Sequence, residues 1–125
     1  MPSTQTWDGR FANNAWLWEL PDFLTKTCWD NFAIVGPSTS TDLKLANDTI
    51  IKVTVGGKDL EIPCYTMPGQ APYSIALVLG GGRTAAGKVG GSGKHTVGVN
   101  VYPVRASTAL DIAVSFENST SAVTM

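Results

Sequence analysis

The sequence predicts a mainly β protein, a small barrel or sandwich carrying two or three short helices. Three observations predict it. Val, Ile and Thr together supply 31 of the 125 residues, and β-branched side chains favour strands. Thirteen glycines and only 15% charged residues point to tight turns and little solvated helix surface. About six strand-like runs recur at short spacing without a long amphipathic helix pattern, which argues a barrel or sandwich rather than an α/β fold. A chain of this length buries one core.

The elements follow in chain order. Trp7 to Asp30 holds all four tryptophans, Trp7, Trp16, Trp18 and Trp29. Within it Asn14 can cap a short helix over Ala15–Leu20, which Pro21 stops. So many indoles serve either as a hydrophobic plug or as a stacking platform for a flat ligand or a partner surface. Phe32–Val35 reads as a strand closed by Gly36-Pro37, and Ser38 or Thr39 can cap a helix running to Leu45. The clearest signal comes next. Ile51, Val53 and Val55 alternate with Lys52 and Thr54, Gly56-Gly57 turns the chain, and Leu60, Ile62 and Cys64 alternate in return. This is a β-hairpin with one buried face. Pro63 has no amide donor and belongs at an edge or an unpaired position.

Ile75–Leu79 is a further apolar run, and Val97, Val99 and Val101 alternate into another strand before Pro103. A last strand is expected over Asp111–Phe116, ahead of a polar end. On this reading residues 1–6 are an unstructured lead-in, 7–107 form the domain, and 108–125 are a weakly defined tail.

Composition excludes several functions. The net charge of −1 offers no attraction to nucleic acid or to an anionic membrane. No apolar run approaches the ~20 residues of a membrane span. Cys28, Cys64 and His95 are the only thiols and the only imidazole, too few for a four-ligand zinc or iron–sulfur site. The two cysteines are expected as free buried thiols, with a single disulfide as the alternative. A serine triad would have to use His95, and the nucleophile-elbow pattern is missing.

Gly80 to His95 holds seven glycines and three cations, Arg83, Lys88 and Lys94, and no acid. Gly82–Lys88 fits the phosphate-loop spacing, but Val89 stands where the magnesium-binding hydroxyl is needed. Gly80–Ala85 fits the dinucleotide fingerprint, yet the helix and the later acidic residue are missing. Two readings remain open: an anion cradle of backbone amides with Arg83, Lys88 and Lys94 beside it, and a plain connection between strands.

Several stretches taken together resemble a known family. They are Trp7-Asp8-Gly9-Arg10 through Asn13-Asn14-Ala15-Trp16-Leu17, Glu19-Leu20-Pro21-Asp22, Trp29-Asp30-Asn31, Gly80-Gly81-Gly82-Arg83, Gly87-Lys88-Val89-Gly90 and Val99–Arg105. The chain resembles, over about residues 7–107, the molybdopterin-dinucleotide-binding domain of the bacterial molybdopterin oxidoreductases. The variant it is most similar to lies in the large iron–sulfur subunit of alternative complex III, a quinol-oxidising complex.

The resemblance implies a double-psi β-barrel, non-catalytic by itself, within a larger oxidoreductase at the periplasmic face of the cytoplasmic membrane. Its partners would be the other domains of the parent subunit and electron-transfer subunits, with no nucleic acid and no membrane insertion. No cofactor would be bound by this chain alone. In the alternative the domain binds molybdopterin guanine dinucleotide. Asn13, Asn14 and Trp16 would then meet a ring, and Arg83, Lys88 and the segment through Asn100 would meet the pyrophosphate. A free-standing β-barrel binding module is the third expectation.

Overall fold

Ile50–Val55 and Lys58–Thr66 form the expected hairpin, β2 and β3, in the computed structural model, which describes residues 1–92, 96–105 and, for the backbone alone, 115–117. Gly56 and Gly57 make its two-residue turn with both φ angles positive (56° and 76°), the conformation whose twist matches the flanking strands. Ile51 pairs with Ile62 and Val53 with Leu60. All four are buried, so the alternation in the sequence becomes the inner face of the sheet. On the outer face Thr54 Oγ1 donates to Asp59 Oδ1 at 2.7 Å, and Lys52 pairs with Asp59 at 2.8 Å.

Ala33–Val35 forms β1 and Ile75–Leu77 forms β4. β1 runs parallel to the last three residues of β3 and antiparallel to β4. Ser115–Glu117 forms β5 against β2; it includes Ser115 and Phe116 of the expected last strand and runs one residue beyond it. The order is β4-β1-β3-β2-β5. Pro63 sits opposite Ile50 on the last rung with β2, just before β3 begins to pair with β1, where a missing amide donor disturbs least. Pro37–Asp42 forms the helix α2, entered by Pro37 rather than capped by a hydroxyl; Ser38 and Thr39 lie inside it. Tyr102–Val104 makes a 3-10 turn that packs on β3.

The chain divides into two units: Phe32–Leu77 with Tyr102–Met125, which holds this sheet, and Met1–Asn31 with Val78–Val101. The second unit contains the helix α1 over Ala15–Glu19 and the four-residue helix α3 over Gly87–Gly90. Strand pairing within its described residues is limited to the isolated bridges Ser3–Trp7 and Ala85–Ser92.

These observations correct the expected fold class. The architecture is mixed α/β with an open sheet, not a closed double-psi β-barrel and not a mainly β sandwich. Closure would need strands from the segment after Leu79, and among the described residues of 80–105 none forms. Gly98 takes φ +79° in the middle of the Val97–Val101 run and breaks its extension. Val99 N–H then donates to Asn31 Oδ1 at 2.6 Å, and Val99 C=O accepts from Asn31 Nδ2 at 2.9 Å. A side-chain amide thus occupies the two backbone groups a neighbouring strand would take. His95, Lys94 and Asp111 lie outside the described residues.

Candidate functional site

Every proposed site residue falls in the unit built from Met1–Asn31 and Val78–Val101. Asn14 takes an extended backbone conformation and its Oδ1 accepts from Trp16 N–H at 3.1 Å, the helix cap that its sequence position predicts. Asn13 Oδ1 accepts from an Arg83 guanidinium N–H at 3.2 Å. The first loop and the glycine-rich segment, 70 residues apart in sequence, are therefore joined at this pair. Asn100 lies against Gly82, whose absent Cβ would stand 2.4 Å from the Asn100 Cβ. Arg83 also approaches α3, lying 3.4 Å from the Cβ position of Gly90. Lys88 projects from α3 as an exposed side chain.

The three asparagines and Arg83 are thus engaged in building the unit. Asn14 caps a helix, Asn13 fastens Arg83, and Asn100 packs on a glycine. Trp16 is different. It is 82% exposed, while Trp18 is buried with its indole N–H donating to Ala12 C=O at 2.7 Å. Trp18 plugs the unit, Trp29 is half-buried, and Trp7 and Trp16 are exposed.

Other exposed apolar side chains accompany Trp16. Leu20 follows four residues later, on the same face of the helix turn, and Phe11, Phe23 and Leu24 are exposed as well. Phe23 and Leu24 are presented by a tightly bonded turn. Asp22 Oδ1 accepts from Leu24 N–H, Thr25 N–H and Thr25 Oγ1 at 2.9 to 3.0 Å. Its Oδ2 accepts from Thr4 Oγ1 at 2.7 Å. Lys26 closes the turn in a left-handed conformation (φ +62°), donates from Nζ to Phe23 C=O at 2.9 Å and stands 5.3 Å from the Phe23 ring centroid. Gln5 braces the end of α1 by donating to Leu20 C=O at 3.1 Å.

The Phe23–Leu24 turn was not among the predicted site residues. A signal for it exists in the sequence, because Asp-x-x-Thr over Asp22–Thr25 is the pattern of a side-chain-capped turn. Asn31 was missed for a different reason. It is buried, and its Nδ2 also donates to Val78 C=O at 2.7 Å, so all its partners are distant in sequence.

The titratable groups have structural partners. The Arg10 guanidinium hydrogen-bonds Asp8 and holds its carboxyl at about 2. Partial burial pushes Asp22 up, but the hydrogen bonds from Thr25, Thr4 and Leu24 together outweigh it and keep the carboxyl below its ordinary value. The Lys52 hydrogen bond, with that of Thr54, lowers Asp59. Burial raises the Cys64 thiol, and a hydrogen bond to Asp42 raises the Tyr73 phenol. Each shift carries its group further from neutral pH, the opposite of what general acid–base work asks for. Cys28 and Cys64 are free thiols, the first exposed and the second buried. Among the described residues no group of three or more His, Cys, Asp or Glu is gathered as a metal site, and no helix is long and apolar enough to cross a membrane.

No protein-family model and no curated protein matches the chain. This result and the open sheet overturn the resemblance to the molybdopterin-dinucleotide-binding domain. Two expectations that rested on it fall with it, the barrel domain of an iron–sulfur subunit and the guanine-dinucleotide-binding domain. The free-standing barrel module, expected from the tryptophans and the cationic loop, falls on the open sheet. The motif segments carried the resemblance, but here several have local tasks. Asn-x-Trp is a helix cap, and Trp29-Asp30-Asn31 ends in the amide that fastens Val99.

Proposed function

We propose that the chain is a non-catalytic interaction module and that the Trp7–Leu24 stretch is the surface by which it docks on another protein. The observation that carries this reading is the Asp22 turn. Its four hydrogen bonds hold Phe23 and Leu24 outward, and α1 exposes Trp16 and, at its C-cap, Leu20. A segment free to choose would fold such side chains inward, because covering each Phe- or Leu-sized group is worth about 1.5–3 kcal/mol. Here the turn is already ordered, so a partner covering it loses little conformational freedom on binding. Tryptophan is among the residues most enriched where interface energy concentrates. No cofactor of its own is needed, and the engagement of Asn13, Asn14 and Asn100 in holding loops favours a docking face over a ligand cradle.

Site-specific photo-crosslinking in cells that make the protein tests the proposal. A benzophenone amino acid placed at Trp16 or Phe23 is expected to trap one discrete protein adduct. The same group at Lys58, exposed at the tip of the β2–β3 hairpin, is expected to trap none. Equal yields from all three positions, or no adduct at Trp16 and Phe23, would refute the docking surface.

A further inference from the structure

We draw no further inference here: the strongest candidate, the exposed apolar face over Trp7–Leu24, carries nothing beyond the docking already proposed, because the side-chain charges of its unit balance among the described residues and nothing in the structure shows which partner covers it.

Discussion

The sheet unit and the glycine-rich unit are built from the same chain by different means. In the sheet, backbone pairs with backbone: β2 and β3 share six register positions, with Ile51, Val53, Leu60 and Ile62 buried on one face. In the other unit side chains take over the work of a ladder. Asn31 makes three hydrogen bonds to the backbone of Val78 and Val99, Asp30 takes the Gly98 amide, and Asp22 gathers the turn after α1. A ladder is redundant, since any residue with an amide and a carbonyl can form a rung. A side-chain clip depends on one residue. The same contrast governs exposure, because the sheet alternates its apolar residues inward, while the Asp22 turn holds Phe23 and Leu24 in water.

The largest effect that would sharpen this contrast is Asn31→Ala. Three partly buried backbone groups lose their partners at once, which costs about 4 kcal/mol. Urea denaturation would measure the loss. Amide exchange should accelerate at Leu79–Gly82 and Val97–Val99 while the β2–β3 amides keep their protection. Uniform acceleration in both units would break the distinction.

Ile62→Ala is next, at about 3 kcal/mol, from lost burial and the cavity left behind. It is expected to loosen the sheet amides first, the mirror image of the Asn31 result. A smaller effect of opposite sign is expected at Thr6, whose Oγ1 is buried without a hydrogen-bond partner among the described residues. That hydroxyl lies 2.1 Å from the Cβ position of Gly80. Thr6→Val removes the unsatisfied oxygen at nearly constant shape and should raise stability by about 1 kcal/mol. A loss on thermal denaturation would mean the hydroxyl has a role of its own.

The smallest effect is the dependence on pH. Lowered carboxylates of both units, Asp8 and Asp22 in one and Asp59 in the other, act at the acid end, and the raised groups of the sheet unit act at the alkaline end. Asp8 falls from its ordinary 3.8 to about 2 on folding, so its contribution is full above 3.8 and disappears as pH falls through about 2. Asp22 is lowered as well and acts in the same direction. In the sheet unit burial raises Cys64 and the Asp42 hydrogen bond raises Tyr73, from ordinary values of 9.0 and 10.0. Their contribution is full below those values and is lost as pH rises through the folded ones. A melting-temperature profile should therefore be flat between about pH 5 and 8 and fall at both ends. A slope through neutral pH would contradict these assignments.

Legibility in the sequence followed the range of the interactions. The hairpin was readable because alternation and a Gly-Gly turn are local signals, and so was the Asn14 cap, which acts two residues away. The Val97–Val101 strand was misread although its alternation is just as regular. What cancels it is Gly98 in a left-handed conformation together with an amide from Asn31, 68 residues distant. Of the candidate residues, the pairing of Asn13 with Arg83 could be suspected only from a resemblance that did not hold. The Asp22 turn is local as well, since its Asp-x-x-Thr pattern lies within four residues.

By itself the sequence determined the hairpin and its buried face, the capped helix at Ala15–Glu19, and the scarcity of metal-ligating side chains. These follow from composition and from contacts a few residues long. Tertiary structure alone decided whether the strands close, which tryptophans are buried, and which polar residues are left for a partner. Each of those outcomes turns on hydrogen bonds such as Asn31 to Val78 and Val99, or Arg83 to Asn13, that join segments 47 to 70 residues apart. Local periodicity carries no information about such partners, because a buried amide bonds whichever backbone group the folded chain brings to it.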